Sequence, residues 1–277
     1  MLEETVKLLK PGAGRTIVDC TLGFGGHAAA LLAEGAMVIG IDQDADALAA
    51  SKQKFSNGER ITFVRANFSD LKNVIREKTD GFLFDLGVSS YQIDRPERGF
   101  SIRYDGPLDM RMDQSQPLSA REVLNDYSPE ELEKIFFEYG EERFGRRIAR
   151  AVAGARQIKE IATTGELKEI VEKAIPTWRK RESVSRIFQA IRIEVNGELD
   201  RLNKALAQAV ELLKPGGRIV VISYHSLEDR AVKKFFVECK KNGILEVITK
   251  KPLTASIAES AANPRAKSAK LRCAEKK

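Results

Sequence analysis

The chain has 277 residues, enough for one large domain or for one domain that carries a second. Hydrophobic residues make up 43% and charged residues 31%, as in ordinary soluble globular proteins, and no apolar run approaches the roughly 20 residues of a membrane span. The 46 Lys and Arg residues outnumber the 40 Asp and Glu residues, so the net charge of +6 permits a polyanionic partner without requiring one.

Cysteine and histidine are scarce and scattered. Cys20, Cys239 and Cys273 lie far apart and form no C-x-x-C pair, which argues against a disulfide framework and against a zinc site. The two histidines, His27 and His225, are too few for a histidine-rich metal centre. The first residues also lack a basic and apolar leader. We therefore expect a cytoplasmic protein without a membrane segment, whose chemistry uses no metal.

The first hundred residues alternate between short apolar runs and helix-forming segments. The apolar runs predict four strands, at Thr16–Cys20, Met37–Ile41, Ile61–Val64 and Gly81–Phe84. Helices are expected between them, at about 28–33 and 45–55. Continuous apolar strands separated by helices are typical of a parallel sheet covered on both faces, so an α/β fold is expected. Ligands of such sheets bind at the carboxyl ends of the strands, where Asp19, Asp42 and Asp85 fall.

The pattern changes after the fourth strand. Residues 87–117 are rich in Gly, Pro, Asp and Arg and indicate a structured loop. Helical patterns follow, one from Ser128 to about Arg156 and another from Thr163 to Pro176, each opened by a capping box. We therefore expect an inserted all-helical domain.

Strands and helices alternate again near the end of the chain. The expected elements are a long amphipathic helix at 185–213, a Pro-Gly-Gly turn, a strand at 218–223, a helix at 227–240, and a pair of closing strands at 245–248 and 270–274. The predicted domain boundaries are 1–107 for the first part of the core, 108–183 for the helical insertion, and 184–277 for the second part of the core with a basic C-terminal tail.

Basic residues gather in two places. Residues 263–277 contain six Lys or Arg against one acid, and residues 178–181 read Trp-Arg-Lys-Arg. A solvated surface is the plain interpretation of either run taken alone. Together the two runs favour a nucleic-acid partner.

The turn after the first strand predicts a site for an anionic group. Gly23 and Gly25 allow the backbone to approach a ligand closely, and the following helix begins with unpaired N–H groups. Together with Ala28 the glycines also match G-x-G-x-x-A, so an NAD enzyme is an alternative. Asp19 separates the two cofactors, because its carboxylate would repel a pyrophosphate but attract the α-ammonium of S-adenosylmethionine (SAM). Asp42 can accept hydrogen bonds from ribose hydroxyls in either case.

Two further strand ends extend this site. Phe68 follows the third strand, where an aromatic ring can pack on adenine, although a plain core position is the simpler interpretation. Asp85 ends the fourth strand, where the transferred methyl group should point.

The sequence resembles the ribosomal RNA small-subunit methyltransferase H family (RsmH, formerly MraW) in a series of ordered motifs that covers nearly the whole chain. These motifs are Asp19–His27, Asp85–Ser90, Glu97–Ser101, Asp105–Asp113, Tyr139–Phe144, Phe188–Ile193, Val195–Asn196, Ser223–Arg230 and Asn263–Ala266. Many long motifs in register are far more specific than a lone glycine-rich loop.

The resemblance implies a class I, Rossmann-like SAM-dependent methyltransferase with an inserted all-helical domain. It implies N4-methylation of a decoding-centre cytosine in bacterial 16S rRNA, within an assembled or nearly assembled 30S subunit. It places SAM against the residues Gly25, Gly26, His27, Asp42, Phe68, Asp85 and Gln92. His27 and Gln92 join the site through the resemblance alone.

Catalysis by such an enzyme needs a hydrogen-bond acceptor for the weakly nucleophilic amine. Asp85 and Asp109 are the two candidates for this acceptor. The expected substrate contacts are Phe100, Arg111, Asn196 and His225, with Phe100 or Tyr224 as the ring that stacks on the flipped base. The competing interpretations are core positions for Phe100 and Tyr224, loop carboxylates as the partners of Arg111, and a structural role for His225.

Other functions stay open at this point. They are an NAD-dependent oxidoreductase, a methyltransferase acting on adenine N6 or on a protein side chain, and an RNA-binding assembly factor without turnover. The oligomeric state is also open, with a homodimer among the alternatives.

Overall fold

The computed structural model describes residues 1–55 and 60–277. The first part of the chain contains α1 (Leu2–Leu9), β1 (Thr16–Asp19), α2 (Gly26–Ala33), β2 (Met37–Asp42), α3 (Ala45–Lys54), β3 (Ile61–Arg65), α4 (Leu71–Val74) and β4 (Thr79–Asp85). The middle part contains α5 (Ser90–Asp94), α6 (Ala120–Asp126), α7 (Pro129–Glu138), α8 (Gly145–Arg156), α9 (Thr164–Ala174) and α10 (Lys180–Asn196). The last part contains α11 (Glu198–Leu212), β5 (Leu213–Ser223), α12 (Ser226–Lys241), β6 (Leu245–Val247), β7 (Leu253–Thr254), α13 (Ile257–Ala262) and β8 (Lys270–Lys276). Short 3₁₀ helices lie at Phe68–Asp70, Pro96–Arg98, Thr177–Arg179 and Pro264–Ser268.

The chain divides into two compact units. The first combines Met1–Gly87 with Leu199–Lys277, and the second is Val88–Glu198. Across residues 1–55 and 60–277, no helix is both long and apolar enough to cross a membrane. All three cysteines are buried and free.

The first unit is built on a single mixed sheet. Its strands run in the order β3-β2-β1-β4-β5-β8-β6, and β7 also pairs with β8. The pairs among β1 to β5 are parallel, whereas β8 is antiparallel to β5 and β6. This confirms the expected α/β fold. The pairing of Leu245–Val247 with the last strand also confirms the predicted closing strands.

Both faces of this sheet are covered by helices, as continuous apolar strands require. Alternate residues of β4 show the division, because side chains of a strand point to opposite faces in turn. Phe82 and Phe84 pack in one core with α11 and α12. Leu83 packs in the opposite core, with Leu9 of α1 and Leu31 of α2. The carboxyl ends of the parallel strands are therefore fixed by a core on either side.

Two predictions for the last part of the chain need correction. The single helix expected at 185–213 is two helices, because Gly197 takes a left-handed conformation (φ 55°) and ends α10. The basic C-terminal segment is also mostly structural rather than a tail. Its residues 270–276 form β8 inside the sheet, and Arg272 donates from Nε to Asp229 Oδ1 at 2.6 Å.

The second unit has its own apolar core. Helices α6 to α10 contribute to it through side chains such as Leu124, Phe136, Ile148 and Val171. Capping boxes begin α7 and α9 as predicted. The pattern expected to run to Arg156 is interrupted, however, since α7 ends at Glu138 and α8 begins at Gly145.

The boundaries of the second unit also differ from the predicted 108–183. The unit begins at Val88 and ends at Glu198. Phe100 in the preceding loop and Ile187 and Val195 of α10 are buried in its core. These segments therefore belong to the helical unit because of the apolar surface they bury there.

Candidate functional site

The glycine-rich turn between β1 and α2 contacts α3 and Phe55, the residue that follows α3. Gly23 (φ 52°) and Gly25 (φ 68°) adopt left-handed conformations that favour glycine. The Ser51 hydroxyl donates to the Gly23 carbonyl at 2.7 Å. A Cβ on Gly25 would lie 2.5 Å from the Phe55 ring. The turn therefore excludes a side chain at Gly25 on both conformational and steric grounds.

The beginning of α2 is open to a ligand. A Cβ built on Gly26 would meet no atom within 4 Å among the described residues. No side chain caps this helix, whose first N–H groups follow the Gly25 cap. An anionic group such as a carboxylate fits there, because a helix N-terminus offers both unpaired donors and a favourable dipole.

Asp19 is a buried carboxylate with spare hydrogen-bonding capacity. It is 1% exposed, and Oδ1 accepts from the Thr21 backbone N–H at 3.2 Å. Its Oδ2 has no hydrogen-bond partner in the described part of the chain. Burial raises the pKa of Asp19 to about 7, against the lowering effects of His27 and the Thr21 N–H. An oxygen buried in this way is costly unless a donor reaches it, and an ammonium group would supply that donor.

Asp42, at the end of β2, is held in a fixed orientation by the backbone. Its Oδ2 accepts from Gly23 N at 2.8 Å, and its Oδ1 accepts from Asp44 N at 2.9 Å. Burial raises the pKa of Asp42 to about 6, and these hydrogen bonds oppose the shift. Each carboxylate oxygen can accept more than one hydrogen bond, so hydroxyl donors such as those of a ribose fit this group.

Asp85, at the end of β4, lies at the centre of a hydrogen-bonded group. The Tyr224 hydroxyl donates to Oδ1 at 2.9 Å, and His27 Nε2 lies 3.3 Å from Oδ2. The Asp85 backbone N–H donates to Thr21 Oγ1 at 2.7 Å. Two side chains thus fix a carboxylate whose side chain remains 27% exposed, and Thr21 holds the backbone that carries it.

The two partners of Asp85 have shifted pKa values. Burial lowers the pKa of His27, but the hydrogen bond and charge of Asp85 and the charge of Asp19 outweigh it, and the net shift is upward. Burial and the Asp85 charge raise the pKa of the Tyr224 hydroxyl, which stays protonated as a donor. The arrangement therefore keeps Asp85 oriented by two donors.

Phe68 begins the 3₁₀ helix after β3. Its ring meets the Phe84 ring edge-on, with centroids 5.9 Å apart, and it is half-buried against the core of the first unit. The ring is therefore held in place from one side.

The structure thus gathers most of the predicted cofactor residues at one edge of the first unit. Thr21 and the hydrogen bond from Tyr224 to Asp85 were not anticipated from the sequence. A Thr two residues after a strand-end Asp is a weak signal, because only the fold brings the ends of β1, β4 and β5 together.

Asp109 and Arg111, in the second unit, form a two-pronged ion pair. Arg111 donates from Nε to Oδ1 at 3.0 Å and from Nη2 to Oδ2 at 2.7 Å. The Arg111 guanidinium also donates to the Gln116 carbonyl at 2.8 Å. Asp109 raises the pKa of Arg111 further above its ordinary value. Both carboxylate oxygens of Asp109 are therefore engaged within the loop, which favours a structural role.

Three other predicted residues of the second unit have local partners. Asn196 is 1% exposed, accepts from Met112 N at 2.8 Å and donates to the Met110 carbonyl at 2.8 Å. Phe100 belongs to the apolar core. Gln92 is buried in the capping box of α5, where Oε1 accepts from Ser89 N at 3.0 Å. These contacts favour a supporting role for Asn196 and Phe100.

His225 begins α12 in the first unit. Its Nδ1 accepts from the Glu228 backbone N–H at 3.4 Å, and its Nε2 lies 3.2 Å from Glu228 Oε1. Both side chains are almost fully buried. His225 therefore caps a helix, and the neighbouring Tyr224 is the residue that reaches Asp85.

The strand order, the open glycine turn and the strand-end carboxylates define a Rossmann-like, SAM-dependent methyltransferase. A protein from Streptococcus mutans, solved in complex with SAH, shares this fold. It covers 100% of this chain and 97% of its own, with a TM-score of 0.51 and 13% sequence identity.

The sequence profile of the MraW methylase family matches residues 1–277, and the chain belongs to this family. A full-length relative is the "Ribosomal RNA small subunit methyltransferase H" of Carboxydothermus hydrogenoformans. It is 48% identical over 299 aligned positions, which cover 100% of this chain and 96% of the relative.

Proposed function

We propose that this protein methylates the exocyclic N4 of a decoding-centre cytosine in small-subunit rRNA. The observation that carries the proposal is the Asp85 carboxylate, oriented by Tyr224 and His27 at the sheet edge that holds Asp19 and Asp42. Family membership and the full-length relative named for small-subunit rRNA support RNA as the substrate.

The cofactor supplies a methyl group that is already electrophilic on a sulfonium. In this proposal Asp19 pairs with its ammonium group, the beginning of α2 at Gly25 and Gly26 takes its carboxylate, and Asp42 accepts from its ribose hydroxyls. The unpartnered Oδ2 of Asp19 and the open space at Gly26 fit these roles. Phe68 would pack on the adenine, and His27 and Asp85 would complete the set in the first unit, while Gln92 of the second unit stays an expectation of the family resemblance.

In this proposal Asp85 assists the weak nucleophile, which is the exocyclic amine of cytosine. The lone pair of a cytosine amine is shared with the ring, so a carboxylate that accepts a hydrogen bond from the N–H helps to localise it. Asp85 would take the proton that N4 loses on methylation, as the bond between the methyl group and the sulfonium sulfur breaks. Tyr224 and His27 hold the carboxylate in one orientation, so little reorganisation is needed at that moment.

The geometry favours Asp85 over Asp109 as this acceptor. Both carboxylates have partners on both oxygens, but breaking the Asp109 pair would leave the Arg111 guanidinium without its partner. The Asp85 side chain is also the more exposed of the two, at 27% against 14%. We propose that Asp109, Arg111 and Asn196 instead shape the 109–116 loop of the second unit. Phe100 supports that loop from the core, and His225 supports Tyr224 by capping α12.

The proposed substrate is rRNA within an assembled or nearly assembled 30S subunit, which places the reaction in the cytoplasm. The test incubates the protein with radiolabelled SAM and small subunits from cells that lack this activity, followed by digestion to nucleosides. Label that co-migrates with N4-methylcytidine is the expected result. Label in another nucleoside or in ribosomal protein would overturn the assignment. The absence of any label, despite measurable SAM binding, would also overturn it.

Free rRNA from the same cells provides the second arm of this experiment. Methylation of the subunit but not of the free RNA is expected if assembly presents the cytosine. Equal methylation of both would remove the 30S part of the proposal and leave the reaction itself intact.

A further inference from the structure

The second unit carries an exposed aromatic and cationic surface that the proposed chemistry does not use. Trp178 is 70% exposed, an unusual state for the largest apolar side chain. Two guanidinium groups face its ring, that of Arg179 at 4.5 Å and that of Arg143 at 5.5 Å from the ring centroid. We call Trp178, Arg143 and Arg179 the tryptophan platform.

Neighbouring side chains of the second unit hold the two arginines of the platform in place. Arg179 donates from Nη1 to Glu182 at 2.6 Å, and Glu182 also accepts from Arg186 at 2.6 Å. The Arg143 guanidinium lies 4.9 Å from the ring of Phe144, which packs against the core of the unit. These contacts orient the two arginines and leave most of the indole surface exposed.

Positive charge continues from the platform along α8, where Arg146 pairs with Glu133 at 3.8 Å. Residues 143–150 contain four arginines and no acid. Arg147 and Arg150 are exposed, lie three residues apart on one side of the helix, and, like Arg143, make no ion pair within the described part of the chain. Exposed guanidiniums that follow the ring-facing Arg143 along the chain match a polyanion that also presents flat, apolar groups.

We propose that the tryptophan platform and the α8 arginines bind single-stranded RNA, with an unstacked base on Trp178 and phosphates on Arg143, Arg147 and Arg150. Every base has a π-face that can stack on an indole, and guanidiniums bind phosphate with directional hydrogen bonds. Bases inside a duplex are not available for such stacking, so the surface selects unpaired nucleotides. An acidic protein partner would use the charges but would leave the indole without a matching group.

This inference rests on the proposed function in that both place RNA on this protein, but its test reads binding rather than methyl transfer. Trp178 is the only tryptophan of the chain, so its fluorescence reports on the platform alone. The full-length protein is titrated with oligocytidylate, and in parallel with the same strand annealed to its complement. Quenching that saturates with the single strand and is weaker with the duplex is expected. Unchanged emission at saturating RNA, or equal quenching by the duplex, would overturn the proposal.

Variants then measure the contribution of each part with a labelled RNA. Trp178→Ala is expected to weaken binding roughly 10-fold, and Trp178→Phe to restore most of it. Arg143→Ala and Arg147→Ala are each expected to lower the slope of log K against log salt by about 0.7. Arg121→Ala is the matched control, because it removes the same charge from a guanidinium already paired with Glu160 at 2.7 Å. Trp178→Ala or Arg147→Ala variants that bind like Arg121→Ala would refute the platform.

The two proposals can fail separately. Saturable quenching without N4-methylcytidine would overturn the function and keep the platform. Normal methylation with unaltered Trp178 emission would overturn the platform and keep the function.

Discussion

Two regions of the molecule hold aspartates in opposite ways. At the strand ends of the first unit, Asp19 is buried, its Oδ2 has no hydrogen-bond partner among the described residues, and burial raises its pKa to about 7. In the loop of the second unit, Asp109 is held by both prongs of the Arg111 guanidinium. A paired carboxylate has already replaced its hydration with a protein partner, so a ligand gains little from it. A buried unpaired carboxylate gains when a ligand brings the missing donor.

Asp85 is the strand-end aspartate of the first unit to which we assign proton transfer. Replacing it with Asn is expected to have the largest effect and tests the difference between the two regions. The variant keeps the shape of the carboxylate but cannot take the proton, so turnover at saturating SAM is expected to fall roughly 1,000-fold. Methyl transfer to small subunits, measured alongside SAM binding, checks it. Asp109→Asn is the matched control and should keep turnover within a few-fold once folded. Equal losses in the two variants would contradict the distinction between the regions.

Replacing Asp109 with Ala tests the structural side of the comparison. Arg111 would lose both of its charge-assisted hydrogen bonds to a half-buried partner, and the free energy of unfolding should fall by about 2 kcal/mol. Urea unfolding measures the change. Asp126→Ala, at an exposed position, should shift the midpoint little. An Asp109→Ala protein as stable as the Asp126→Ala protein would show that the ion pair is not a structural element.

Replacing Tyr224 with Phe tests whether the Tyr224 hydroxyl orients the Asp85 carboxylate in the first unit. The ring stays in the core while Asp85 loses a donor at 2.9 Å, so turnover should fall roughly 10-fold with little change in SAM affinity. If Tyr224 were only a packing residue, Tyr224→Phe would retain the turnover of the unmodified protein.

The smallest expected effect is the pH dependence of SAM binding. Because the pKa of Asp19 is raised to about 7, the carboxyl is largely protonated at lower pH and must release that proton to pair with an ammonium. Affinity should therefore increase roughly 5-fold between about pH 6 and pH 7.5, as measured by calorimetry. Asp19→Asn should bind more weakly and lose most of this dependence. An unmodified protein whose affinity is constant over that range would exclude the pairing.

In the protein without SAM, the raised pKa of Asp19 makes the folded state less stable as the pH rises, whereas SAM binding becomes stronger. The folded state binds the Asp19 proton more tightly than the unfolded chain does, so this contribution to stability is complete below the ordinary pKa of 3.8 and is lost as the pH rises through 7. SAM is expected to reverse part of that loss by supplying the positive partner.

The sequence by itself determined the α/β class, the glycine turn, and the three strand-end aspartates. It could do so because apolar strands and glycines at the ends of strands are local patterns, and because parallel strands place their carboxyl ends at one edge. The capping boxes at Ser128 and Thr163 were equally local and equally predictable.

Only the tertiary structure decided which of these groups are paired. The sequence treats Asp85 and Asp109 alike, since each is an acid in a motif, and it offers both Tyr224 and His225 for the substrate. Arg111 folds back on Asp109, and His225 caps its own helix. The fold brings Tyr224, at the end of β5, against Asp85, at the end of β4. Such contacts join residues 139 positions apart, and their geometry depends on the packing of the whole sheet rather than on any neighbouring residue.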